Sequence, residues 1–243
     1  MELFDQMLQH TSVRSFEARK VPSELKAKLV AAAQSGASSN FLQAYSVIEV
    51  RDPKKLAQLE KIAHAPGYVK DSGVFYLFVA DLNKHAQVLQ THAAPLTNLK
   101  SIESLTVAIV DTTIAAQNMA VFAESSGLRI CYIGGIRNDV AQVAKLLELP
   151  ALTYPLFGLT IGYPKHKNEV KPRLPADAVV AVDRYQLLTA EKIARYDETM
   201  ATYYATRSTN ATQASWSQKV LAHFEIPRRP EIRTFLAQQG FEL

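Results

Sequence analysis

Four short segments carry the residues whose types and spacing could do chemistry. His10-Thr11-Ser12-Val13-Arg14 sets an imidazole, hydroxyls and a guanidinium within five residues, a donor set suited to an anion. In Val170-Lys171-Pro172-Arg173, a proline stiffens the chain between two cations, and two fixed cations in a short loop favour a phosphate. Tyr132-Ile133-Gly134-Gly135 runs a strand-like stretch into two glycines. Such glycines let the backbone approach a flat ligand and free its N–H groups to donate. Ser38-Ser39-Asn40-Phe41-Leu42-Gln43 is a polar loop with two apolar anchors. Taken singly, the four read equally well as a surface turn, a solvated basic loop, a strand-ending turn and an ordinary connection.

Several common chemistries lack their signatures. No Gly-x-Gly-x-x-Gly follows a strand, no Gly-Lys-Ser/Thr occurs, and there is no Gly-x-Ser-x-Gly elbow. The histidines at 10, 64, 85, 92, 166 and 223 are scattered without metal-ligand spacing, so no metal is expected. The lone cysteine, Cys131, lies in the apolar run Ile130-Cys131-Tyr132-Ile133 and reads as a small buried hydrophobe.

The elements that must position these residues follow from periodicity. Residues 2–10 read as a helix with Leu3, Met7 and Leu8 inward, and Ser23 as the N-cap of a helix through Gln34 with Leu25, Leu29 and Val30 as its stripe. Strands are predicted at residues 45–50, 74–80, 130–133 and 156–163, with helices at 53–63, 189–206, 214–224 and 230–239. Residues 99–126 form one long segment free of Gly and Pro, ended by Gly127 as a natural cap. Its Ala108, Thr112, Ala115, Ala116, Ala120 and Ala123 suit a central packing helix, at the core or at a subunit interface. Asn138 or Asp139 caps a further helix with Val143, Leu146 and Leu147 on its core face, and residues 164–175 form a polar, basic loop. Strands interleaved with helices give an α/β or α+β sheet covered by helices.

At 243 residues with 48% hydrophobic and 21% charged residues, the chain can bury a large core. The net charge of +4 is dispersed among acids along the helices, which argues against nucleic acid. No apolar stretch of about 18 residues is apparent, so no membrane span is expected. Glu2 and Asp5 stand where a signal peptide would be basic, and a reducing cytoplasm is the expected compartment.

In chain order, the four segments resemble the nitroreductase superfamily, and more closely its branch of NADPH-preferring nitroreductases and flavin reductases. Asp111-Thr112, Ala116-Gln117-Asn118, Ala123-Glu124-Ser125, Leu156-Phe157-Gly158, Tyr203-Tyr204 and Thr206-Arg207 extend the resemblance over nearly the whole chain. It implies one FMN-binding domain over residues 1–243, an α+β sandwich with a mostly antiparallel central sheet, in an intertwined homodimer with FMN at the subunit interface. By resemblance, His10, Thr11, Ser12, Lys171 and Arg173 are the phosphate and ribityl segment positions, and Arg14 lies beside the pyrimidine edge. Ser38, Ser39, Asn40 and Gln43 would reach the flavin from the other subunit, and Tyr132, Ile133, Gly134 and Gly135 would cover the ring. Arg207 would bind the 2′-phosphate of NADPH.

The implied activity is ping-pong transfer of two electrons from NADPH, or NADH, to nitroaromatics, quinones or free flavins. The chemistry would lie on FMN N5, with no catalytic side chain. The competing reading is a flavin-binding redox sensor with little turnover. Three departures stand out: Thr11 replaces an arginine, Pro66 a ring-contacting glutamine, and Thr212 and Gln213 the basic residues beyond Arg207. They imply weaker FMN retention and weaker discrimination between NADPH and NADH.

Overall fold

The computed structural model describes residues 2–166, 168–208 and 211–242. Lys167, inside the expected basic loop, lies outside them. The chain divides into two compact units, Met1–Lys167 with Arg229–Leu243, and Asn168–Arg228.

The first unit runs α1 (Leu3–Leu8), α2 (Ser23–Gln34), β1 (Tyr45–Glu49), α3 (Pro53–Ala63), β2 (Val74–Asp81), α4 (Asn83–Thr91), α5 (Ile102–Ser125), β3 (Arg129–Ile133), α6 (Val140–Leu146) and β4 (Thr153–Gly162). The strands form one sheet in the order β1-β2-β4-β3, every pair antiparallel. The fold is therefore α+β. All eight residues of β2 are buried, and its side chains alternate between two helical layers, as the two-residue period of a strand requires. Val74, Tyr76 and Phe78 pack with Leu29 of α2 and Ala115, Ala116 and Met119 of α5. Phe75, Leu77 and Val79 pack with Leu59 and Ile62 of α3 and Val143 of α6.

In α5, Ala108, Thr112, Ala115, Ala116, Ala120 and Ala123 are all buried, so the small residues set how closely the helix lies on the sheet and on α2. The helix ends in a Schellman motif. Leu128 N–H donates to Ala123 O (3.0 Å), Gly127 N–H donates to Glu124 O (3.1 Å), and Gly127 takes φ 79°. Contrary to the expectation from its sequence, α5 is by length and composition apolar enough to cross a bilayer. Its Ala115, Ala116, Met119, Ala120 and Ala123 pack against the sheet and α2 and its Asp111 is buried, while Ile102 and Val110 are exposed.

Other differences have local causes. On α1 it is Gln6 that is buried, while Leu3, Met7 and Leu8 are exposed together with Phe4, reversing the expected face. Pro22, not Ser23, is the N-cap of α2, because Pro22 already takes extended backbone and Ser23 falls at the first helical position. Val30 of the same helix is exposed. β4 starts at Thr153, before Pro155, and the β2–β4 register slips between Phe78 and Val79, where Val79 pairs with Pro155. A bulge is where a strand tolerates proline. The unforeseen α4 is a short, polar helix that buries only Ala86; Asp81 starts it by accepting from Asn83 N–H at 2.9 Å.

The second unit holds α7 (Ala176–Val179), α8 (Ala190–Thr206) and α9 (Trp216–Phe224), and α10 (Ile232–Gln238) returns to the first. Tyr196, Met200 and Tyr204 are spaced by four on α8 and form a small core with Leu174 and Trp216. Thr189 caps α8, and Ser215 with Gln218 makes a capping box on α9.

Candidate functional site

In the first unit, the segment around His10 lies against β3. Val13 N–H donates to Ile130 O (2.9 Å), and Phe16 bridges Pro164. Thr11 and Val13 are buried while Arg14 is exposed, as an extended segment on a strand demands. His10 Nδ1 is 2.8 Å from Glu124 Oε1, a carboxylate almost wholly buried on α5. An acceptor there holds the proton on Nδ1 and leaves Nε2 as the ring's acceptor. Among the described residues no ion pair engages Arg14. It does act on Cys131, easing the rise that burial imposes on that thiol.

Seven residues before Glu124, and so on the same helical face, Gln117 accepts from the Tyr132 hydroxyl at 3.2 Å. Tyr132 packs edge-on to Phe157 with centroids 5.2 Å apart, and burial raises its phenol well above the usual range. One face of α5 thus fixes both the His10 segment and the Tyr132 turn. Ile133 points into the core against α3 and α6. The two glycines differ. A Cβ on Gly135 would lie 2.3 Å from Ala63 O, whereas one on Gly134 would meet nothing closer than the Arg137 guanidinium at 3.6 Å. Gly135 therefore serves the packing of α3, and Gly134 is faced only by the Arg137 side chain.

Residues 38–43 are held elsewhere. Buried Asp111 accepts from Ser38 Oγ–H (2.6 Å), Ser39 N–H (3.1 Å) and Ala44 N–H (3.1 Å). Asn40, Phe41 and Gln43 take φ of 47°, 57° and 53°, a region costing about 1–2 kcal/mol for each non-glycine residue. Phe41 is 78% exposed. Asp111 precedes Glu124 by thirteen residues, about 20 Å of helix at 1.5 Å per residue. Within one chain, then, the His10 and Tyr132 segments come together and the Ser38 loop does not join them.

In the second unit, Lys171 and Arg173 both line a cleft of about 490 Å³ with Tyr196, Tyr204, Trp216 and Lys219. The Tyr196 hydroxyl donates to Pro172 O (2.9 Å), which pins the stretch between the two cations. Burial raises the Tyr196 phenol, and Arg173 partly offsets this. Arg207 is the C-cap of α8, its guanidinium carbon 5.3 Å from the Tyr204 ring centroid. Sequence reasoning assigned no role to Asp111, Gln117, Glu124 or Lys219. The seven-residue spacing of Gln117 and Glu124 on a long helix was the signal available for two of them.

Comparison with known proteins identifies the family. The profile of the Nitroreductase family matches residues 7–163, and that of the Nitroreductase family, C-terminal domain matches residues 171–243. The chain is 36% identical over 239 residues to an FMN reductase (NADPH) of Bacillus subtilis (strain 168), covering 97% of this chain and 96% of that protein. It is 38% identical over 232 residues to an oxygen-insensitive NADPH nitroreductase of Salmonella typhimurium, covering 96% and 95%. The solved NfrA1 nitroreductase from B. subtilis superposes with a TM-score of 0.94 at 36% identity, covering 99% of each chain. The chain belongs to the nitroreductase family of oxidoreductases.

Proposed function

We propose that the protein is an FMN-dependent NAD(P)H oxidoreductase that passes two electrons by a ping-pong mechanism to nitroaromatics, quinones or free flavins. The names of its relatives, an NADPH-dependent FMN reductase and an NADPH nitroreductase, support the donor and the flavin. The observation that carries the reading to this chain is the pinning of residues 10–14 along β3. It leaves the Arg14 guanidinium exposed, without an ion-pair partner among the described residues, in the same unit as Gly134, where a side chain meets no backbone.

These residues fit a flat, phosphorylated, anionic group. FMN, when bound, supplies the acceptance and onward transfer of hydride. Arg14 contributes a fixed positive charge that favours the more anionic, reduced form of such a group. His10, its tautomer set by Glu124, offers an acceptor nitrogen to a ribityl hydroxyl, and Ser12 offers its hydroxyl to the ribityl and phosphate portion, beside the neutral Thr11. Lys171 and Arg173 are rigidly spaced cations for the phosphate, the task for which a guanidinium's planar donor fork is suited. The backbone around Gly134 donates to the ring, and Tyr132 and Ile133 keep that backbone in place. No side chain needs to act as acid, base or nucleophile.

The same reading makes 1–243 one functional domain and the working form a cytoplasmic homodimer. Exposed Leu3, Phe4, Met7 and Leu8 on α1 support an apolar interface. The Ser38 loop supports it too: Ser39, Asn40 and Gln43 are exposed, on strained backbone some distance from the chain's own Arg14, so they serve the partner's flavin. A monomer in sedimentation would contradict this. Steady-state kinetics with NADPH and a quinone varied together test the cycle. Parallel double-reciprocal lines are expected, and lines that intersect would require both substrates to be bound at once.

A further inference from the structure

The loop at residues 38–43 holds Asn40, Phe41 and Gln43 at positive φ. Such backbone persists only where its surroundings over-determine it. Here α5 takes the loop's donors, through Asp111. The acceptors at its end and just beyond it are taken by α4 and the residue that starts α4. Lys84 Nζ donates to Tyr45 O (2.6 Å), Asp81 N–H donates to Ala44 O (3.0 Å), and His85 Nε2 lies 2.8 Å from Leu42 O.

The His85 contact differs from the other two. A carbonyl only accepts, so Nε2 carries the proton and Nδ1 is left as an acceptor. Nδ1 is buried and has no hydrogen-bond partner among the described residues, an arrangement that costs free energy. An apolar side chain in the same place would avoid that cost. Leu42 O in turn receives no backbone N–H among the described residues. What the imidazole supplies and a leucine does not is an N–H for this carbonyl, which lies between the strained Phe41 and Gln43.

We propose that His85 is a positioning residue for the flavin site, its Nε2–H fixing Leu42 O so that the exposed Ser39, Asn40 and Gln43 are set to meet the flavin of a second copy. The inference rests on the reading of the chain as an FMN-dependent homodimer. His85 acts through the loop rather than on the flavin, from 43 residues away in sequence. Holding the loop in one conformation removes ordering that binding would otherwise have to supply.

The test compares wild type, His85→Leu and His85→Gln as full-length, flavin-loaded protein. Two quantities are read: the FMN dissociation constant, from the fluorescence of flavin released on dilution, and amide hydrogen exchange along the chain. Glutamine carries its amide nitrogen about as far from the backbone as Nε2 and can restore the donor, whereas leucine cannot. His85→Leu is expected to raise the dissociation constant about fivefold, the worth of one neutral hydrogen bond. Its loop amides should exchange faster while those of β2 and α5 keep their rates, and His85→Gln should return both quantities towards wild type. Should His85→Leu fail to fold, His85→Asn takes its place, because its amide ends near the position of Nδ1 and leaves Leu42 O without the donor. Unchanged FMN affinity overturns the proposal, even where the loop exchanges faster. So does equal weakening in His85→Gln, or faster exchange spread over β2 and α5, which marks His85 as a packing residue only. A wild type that holds FMN no more tightly than His85→Leu sinks the proposal alone. A wild type that holds no FMN even when the cofactor is added sinks the oxidoreductase reading and the proposal with it.

Discussion

Arg173 and Lys171 flank a proline whose carbonyl accepts from Tyr196, so the two cations are spaced before any ligand arrives and lose little entropy on binding one. A charge-assisted hydrogen bond to a phosphate is worth about 1.5–3 kcal/mol. Arg173→Ala is therefore expected to weaken FMN binding about ten- to a hundredfold and to purify largely colourless, with its fold intact because Arg173 is exposed. A variant that keeps a full complement of flavin by absorbance would remove Arg173 from the phosphate role. The cationic residues were legible in the sequence because charge and a neighbouring proline are local features. Asp111, Gln117 and Glu124 were not, since their partners lie 73, 15 and 114 residues away and only the packed helix brings them together.

At the scale of elements, β3 and α5 form one support, with the strand carrying the turn and the helix locking it through Tyr132 and His10. The two glycines that end the strand separate packing from binding. Gly135→Ala would drive a Cβ to 2.3 Å from the Ala63 carbonyl, and such overpacking costs about 1–3 kcal/mol. Gly134→Ala meets no such neighbour. Thermal unfolding should show a clear loss for the first and little change for the second. Equal melting temperatures would refute the assignment of Gly135 to packing. A near-continuous apolar run made β2 readable and a Gly- and Pro-free stretch ended by Gly127 made the long α5 readable, and α3 was foreseen to the residue. The inward face of α1 was misread because apolar residues were assigned to the chain's own core, while here they face outward. The start of β4 was missed because a proline normally ends a strand, and only the bulge opposite it accommodates Pro155.

For the whole molecule, the first unit holds the sheet and the Tyr132 turn, the second holds Lys171, Arg173 and the cleft they line, and α1 carries exposed apolar residues that the proposed homodimer would cover. Every residue assigned above to FMN serves binding or electrostatics, so the account stands or falls on a bound flavin that NADPH can reduce. The most direct measurement is the absorbance spectrum of the purified protein, recorded without oxygen before and after NADPH is added. The account predicts flavin bands that bleach on addition and return with a quinone. Bands that persist in NADPH and NADH alike, or no flavin even after reconstitution with FMN, would contradict it.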